Sequence, residues 1–199
     1  MKSVKVLGLD LDGTLVSMKI DLKGFKEKMN IPNGDTLEYI ASLPEERSKK
    51  IMALLKEKEI EAARKAELAP GANDLLSYCV DNRIKVVVIT RNSQKASQLT
   101  LDYLDLKVDM LISRENAAPK PSPDAFNIVL NQLGLKPFQM AYVGDYLYDI
   151  QAGNSAGVKT ILIADQENAG EWAPSADFVV EDLYEVLNLL KGKVKDIDG

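Results

Sequence analysis

The chain has no histidine and only one cysteine, Cys79. The first absence removes imidazole as base, nucleophile and metal ligand. The second removes any internal disulfide and fits a reducing compartment. Basic charge is also thin: 25 Lys and Arg stand against 30 Asp and Glu, a net charge of −5. No basic cluster is dense enough for a nucleic-acid groove. No apolar run could span a bilayer. The start, "MKSVKVLGLDLDG", meets acids too soon for a signal peptide. A cytoplasmic protein with neither membrane nor nucleic-acid partner is expected. What the chain does have is 199 residues that are 46% hydrophobic. That is enough for one core, with room for an insertion.

Strand and helix patterns alternate along the chain. Val4–Leu9 reads as a strand, as do "KVVVIT" (Lys85–Thr90), "DMLIS" (Asp109–Ser113), "MAYVGD" (Met140–Asp145), "KTILIA" (Lys159–Ala164) and "DFVV" (Asp177–Val180). Helices are expected near Asn73–Asp81 and Gln94–Tyr103, from Ser122–Pro123 to Gly134, over Asp149–Ala156, and over Glu181–Leu190. The tail beyond Leu190 is expected to fray. This alternation predicts an α/β fold: a Rossmann-like parallel sheet with helices on both faces. Ligands of such sheets bind beyond the carboxyl ends of the strands. Asp10, Thr90 and Asp145 each end a strand, so all three polar groups fall on one sheet edge.

Residues 18–68 differ in texture. They contain no convincing strand. Asp35 and Glu38 form a capping-box-like start for a helix, and Ser42 with Glu45 repeats that spacing ahead of a longer helix to about Glu67. Ile51, Leu54 and Leu55 give this helix an apolar face, and "KEKE" (Lys56–Glu59) reads as a solvated one. An α-helical cap inserted after the first strand is expected, with residues 1–17 and 69–199 forming the catalytic core. Pattern alone leaves open whether the insertion closes over a site or only adds stability. As a lid, it would choose substrates through the loop Asn30–Asp35 or through Arg47, Lys49 and Lys50.

Positions two apart on a strand share a face, so Asp10 and Asp12 can converge. Close carboxylates repel unless a cation or proton intervenes. Oxygen ligands suit Mg²⁺, which binds through a few carboxylates, waters and substrate phosphate. Asp145 and Asp149 add acid at the same edge. A calcium loop fails on spacing: counted from Asp10, glycine falls fourth, and the sixth residue is Leu15.

Four segments, in order, resemble the motifs of the haloacid dehalogenase superfamily: "DLDGT" (Asp10–Thr14), "ITRN" (Ile89–Asn92), "KPSPDAF" (Lys120–Phe126) and "GDYLYD" (Gly144–Asp149). "AELAPGANDLL" and "DIQAGNSAGVKTILI" are similar to phosphoglycolate-phosphatase-like chains. The resemblance implies a Mg²⁺-dependent phosphatase that acts on a small phosphorylated metabolite through an aspartyl-phosphate. Asp10 would be the nucleophile. Asp12 would be general acid and then base, its backbone carbonyl ligating the metal. Lys120 would neutralise charge on nucleophile and phosphate. Thr90 and the Arg91 N–H would bind the phosphoryl group, with Asn92 beside them. Asp145 would ligate the metal, and Asp149 would act there through water or by orienting Lys120. Asp12 argues against dehalogenation, which needs no proton for the leaving group. A phosphomutase of the same superfamily is an alternative, although its usual cap histidine is missing. A non-enzymatic phospho-receiver or binding module is another. A monomer or weak dimer is expected.

Overall fold

The computed structural model describes residues 3–164 and 172–193. Six parallel strands form one sheet in the order β5-β4-β1-β6-β7-β8. These are β1 (Val6–Leu9), β4 (Lys85–Ile89), β5 (Met110–Ile112), β6 (Met140–Gly144), β7 (Lys159–Ile163) and β8 (Phe178–Val180). The order makes β4, β1 and β6 neighbours at the centre.

Both faces of the sheet are covered, so the strands read as continuous apolar runs rather than alternating ones. Alternation survives as a choice of core. Leu7, Leu9, Val86, Val88, Ala141 and Val143 point to one face. There they pack with Leu75 and Cys79 of helix α4 (Ala72–Asp81), Leu101 of α5 (Gln94–Tyr103), and Leu183, Val186 and Leu190 of α8 (Leu183–Leu190). Val6, Val87, Ile89, Met140 and Tyr142 point the other way. They meet Phe126 and Val129 of α6 (Asp124–Leu133) and Ala152 and Ala156 of α7 (Leu147–Ala156). Cys79 is wholly buried, and burial pushes its thiol up to about 12. It is packing material.

Between β1 and α4 the chain leaves the sheet. Two short strands, β2 (Val16–Ser17) and β3 (Glu67–Leu68), pair antiparallel and frame three helices: α1 (Leu22–Met29), α2 (Thr36–Ala41) and α3 (Glu45–Ala63). These helices share their own core of Phe25, Ile31, Ile40, Ile51 and Leu55. Asp35 caps α2 as its spacing implies, accepting the Glu38 N–H at 2.9 Å.

Outside the insertion, β1 starts at Val6 rather than Val4 and α7 at Leu147 rather than Asp149; within it, α1 left no sequence signal, and other details differ from the sequence reading. Residues 18–68 do hold a strand, β3, too short to leave a pattern. Ser42 closes α2 instead of opening α3; its hydroxyl donates to the Tyr39 carbonyl, and Pro44 precedes α3. Helix α3 stops at Ala63, four residues before Glu67. Of the tail expected to fray, residues 194–199 lie outside the described part. Among the described residues, no helix is long and apolar enough to cross a membrane.

Candidate active site

The central strands deliver their polar ends to one place. The sheet ladder runs one residue past β1 and β4. The Asp10 N–H donates to the Val143 carbonyl and the Thr90 N–H to the Ile112 carbonyl, each at 2.9 Å. Those bonds fix where Asp10 and Thr90 point. Asp12 arrives by another route than the one its spacing suggests. The strand ends at Leu9, and the chain turns tightly, with the Val16 N–H donating to the Leu11 carbonyl and the Gly13 N–H to the Val16 carbonyl. Gly13 has φ +87°, and a Cβ there would lie 2.2 Å from an Asp145 carboxylate oxygen. Only glycine lets the turn and Asp145 coexist. Thr14 completes the join, donating its hydroxyl to Asp145 Oδ1 at 3.1 Å.

Lys120 lies 3% exposed at the floor. Its three N–H protons are shared among four oxygens: Asp10 Oδ1 (2.6 Å), Asp149 Oδ1 (2.5 Å), Tyr142 Oη (2.7 Å) and the Ile89 carbonyl (3.0 Å). A buried ammonium is tolerable only with such company. Burial alone would lower its pKa, but Asp10 and Asp149 outweigh that and raise it. Asp149 has its other oxygen on the Tyr146 N–H at the start of α7. Tyr142 fits beneath because β1 carries Gly8 at the crossing point; a Cβ there would come within 2.7 Å of the ring.

One ammonium does not balance the acids. Oxygens of Asp10, Asp145 and Asp149 lie within 4.8 Å of one another. Burial pushes Asp10 up to about 7; Lys120 opposes this, while Asp149 and Asp145 add to it. Burial, then Asp149, pushes Asp145 up to about 6. Three hard carboxylates share one ammonium, and the leftover negative charge fits a divalent cation. Asp12 is also raised to about 7, chiefly by burial, with Asp10 adding; the Met18 N–H, which its Oδ1 accepts at 2.9 Å, works against the shift.

The loop after β4 holds the third group. Thr90 is buried, and its Oγ1 accepts the Asn92 N–H at 3.1 Å. The Asn92 Nδ2 is buried with no partner, a donor in need of an acceptor. Arg91 is half-buried and does not stand free: it pairs with Asp35 of the insertion at 2.5 Å and lies 4.8 Å from the Tyr148 ring centre.

The acids, Lys120 and the loop after β4 open into one cavity of about 640 Å³. Every residue the sequence singles out for chemistry lines it: Asp10, Asp12, Thr90, Arg91, Asn92, Lys120, Asp145 and Asp149. The insertion supplies the opposite wall, with Leu22, Lys26, Asp35, Leu37 and Leu55 among its lining residues. Gly34 and Asp35, from the loop expected to select substrates, are there. Arg47, Lys49 and Lys50 are not; they are exposed on α3, and Lys49 pairs with Glu45 one turn earlier. Sequence reasoning missed Glu59, Arg114 and Tyr142. Glu59 is 2% exposed, not solvated with the rest of "KEKE". The signal was available: Ile51, Leu55 and Glu59 follow one another at intervals of four, a single buried stripe.

Comparison with known proteins agrees with this geometry. A family model described as haloacid dehalogenase-like hydrolase matches residues 11–163. An uncharacterized hydrolase of Saccharomyces cerevisiae is 27% identical, over 98% of this chain and 95% of its own. A phosphoglycolate phosphatase of Chromobacterium violaceum is 26% identical, over 96% of this chain and 98% of its own. The crystal structure of a hydrolase from Pseudomonas syringae superposes with a TM-score of 0.77 at 21% identity, covering 96% of this chain and 99% of that one.

Proposed function

The chain belongs to the haloacid dehalogenase-like hydrolase family, and on that premise we propose that it is a phosphatase releasing inorganic phosphate from a small phosphate monoester. The observation that carries this reading is a buried Asp10 clamped by Lys120 on the floor of a cavity that Asp12 also lines. A carboxylate needs no helper base to attack phosphorus. An Asp10 oxygen forms the new P–O bond, and the ester P–O bond breaks. Its electron pair leaves on the alkoxide oxygen, which takes a proton from Asp12. Asp12, now a carboxylate, then takes a proton from water as the water oxygen attacks the phospho-aspartate. Phosphate departs and Asp10 is restored. A carboxyl held near neutrality suits both jobs, which agrees with the raised value at Asp12.

Thr90 and the orphaned Asn92 amide donate to the phosphoryl oxygens. Lys120 offsets charge on the nucleophile. Asp149 aims Lys120, since its oxygens already serve Lys120 and Tyr146. Asp10, Asp145 and the Asp12 carbonyl would hold Mg²⁺, which when bound screens the phosphoryl charge. Residues 18–68 act as a cap on a core of 1–17 and 69–199, covering the strand ends and excluding water. Relatives named as phosphoglycolate phosphatase and pyrophosphatase support a small phosphorylated substrate.

The test is phosphate release from an aryl phosphate. Chelator should abolish turnover and Mg²⁺ should restore it, with Ca²⁺ a poor substitute because its looser coordination misplaces the phosphate. Full activity in excess chelator overturns the metal assignment, and no phosphate release under any condition overturns the phosphatase.

A further inference from the structure

Glu59 plays no part in the chemistry above, yet it is a buried carboxylate on α3 of the insertion. Its Oε1 accepts Arg114 Nη1 at 2.5 Å. Its Oε2 accepts Arg114 Nη2 at 3.1 Å and the Ser93 N–H at 3.0 Å. Arg114, just past β5, also donates from Nη1 to the Arg91 carbonyl at 2.9 Å. The Arg91–Asn92 peptide is trans, so its carbonyl and N–H point in opposite directions. Anchoring the carbonyl on Arg114 therefore aims the Asn92 N–H back at Thr90, whose Oγ1 accepts it. With that oxygen engaged as acceptor, the Thr90 hydroxyl proton is free to be donated elsewhere.

We propose that Glu59 and Arg114 form a positioning pair: the insertion, through Glu59, holds Arg114 on the Arg91 carbonyl and so aims the Thr90 hydroxyl at the phosphoryl group. Glu59 also takes the Ser93 N–H, so the loop is held at both ends of Asn92. Closing the insertion and aiming Thr90 are then one event. The role of Thr90 rests on the phosphatase reading; the hold on the loop does not.

The pair predicts an effect on every substrate alike. Glu59 itself lines the cavity, and a role confined to that wall would instead shift preference among substrates. Glu59→Gln keeps the shape and one acceptor oxygen but loses the charge. Arg114→Lys keeps Glu59 paired, but an ammonium cannot span both Glu59 and the Arg91 carbonyl. With an aryl phosphate, both variants should lower kcat by roughly 10- to 100-fold, as a small misplacement of a catalytic donor does, with KM little changed. In a Thr90→Ala background, neither should lower kcat further. Additive losses, or an unchanged kcat in a folded variant, overturn the proposal.

Hydrogen exchange at the Asn92 amide gives a readout that needs no turnover. It should speed up in both variants, and unchanged protection also overturns the proposal. If the wild type releases no phosphate, the phosphatase reading falls, and the exchange rates alone decide whether the pair holds the loop.

Discussion

The two walls of the cavity are built on different principles. The floor hangs from the ends of β4, β1 and β6, three hydrogen-bonded neighbours. There, Asp10, Thr90 and Asp145 are placed by the strand ends and Asp12 by a short turn, while Lys120 reaches in from the loop after β5 and Asp149 from α7. The opposite wall is three helices on their own small core, returning through two-residue strands. It meets the rest of the molecule through the end of α3, whose Ala62 and Ala63 pack into the main core, and near the cavity through ion pairs, Asp35 to Arg91 and Glu59 to Arg114. Strand hydrogen bonds hold the floor; ion pairs can break and remake. On the phosphatase reading, the floor would do the chemistry and the wall would choose what reaches it.

The largest expected effects lie on the floor. Asp10→Asn should abolish turnover, by roughly 10⁴-fold or more as loss of a nucleophile typically does. Asp12→Asn should cost about 10²–10⁴-fold on an alkyl phosphate, the usual worth of acid–base help. An aryl phosphate needs less protonation of its leaving group, so it should react and then stall. Rapid-quench labelling checks both: phosphate should be trapped on the Asp12→Asn protein and absent from Asp10→Asn. The reverse pattern would move the nucleophile.

Beneath the floor, Gly8→Ala should destabilise the fold by about 1–3 kcal/mol, the usual penalty for overpacking, because the new Cβ meets the Tyr142 ring. It should also lower kcat, since Tyr142 steadies Lys120. Melting curves and steady-state rates would show both losses together. An activity loss without destabilisation would mean that the ring simply slides aside.

The contrast between the walls also governs what sequence could reveal. Asp10, Thr90 and Asp145 were legible because a parallel sheet gathers its strand ends at one edge, so three local patterns imply one site. Lys120 lies beyond the strand pattern and was legible only through its motif. The insertion read correctly as helical, because capping and periodicity are local signals. Its contacts did not. Nothing near Arg91 in the chain points to Asp35, 56 residues away. Glu59 was hidden among charged neighbours although its spacing continued a buried stripe. β2 and β3 are too short for any period; they exist because the insertion must return to where it left.

A middle-sized effect tests whether the upper wall depends on its ion pairs. Asp35→Asn keeps a residue able to cap α2 and removes only the charge facing Arg91. The loss should be small, about 1 kcal/mol or less for a partly exposed pair. Its pH dependence identifies it. Burial opposes ionisation of Asp35, but the Glu38 N–H and Arg91 outweigh burial and hold its carboxyl below the ordinary 3.8. A carboxyl lowered on folding contributes stability above its unfolded pKa and loses it as pH falls through the folded one. The gap between wild type and Asp35→Asn should therefore be constant above about pH 5 and close in more acid solution. Urea melts across that range check it. A gap that widens in acid would mean that the carboxylate is strained rather than stabilised.

The smallest expected effect is at Lys49, and it separates the wall that faces the cavity from the helix surface behind it. Lys49 and Glu45 pair across one turn of α3 with both side chains mostly in water. Such pairs contribute little, because solvent screens the charges and ordering two long side chains costs entropy. Neither residue lines the cavity. Lys49→Ala should thus change stability by no more than about 0.5 kcal/mol. Substrate preference across a panel of phosphate esters should be unchanged, while substitutions at Leu37 or Lys26, which do line the cavity, should reorder it. A reordering by Lys49→Ala would place substrate contacts on the outer face of α3. The insertion would then have to swing by far more than breaking the Arg91 and Arg114 pairs implies.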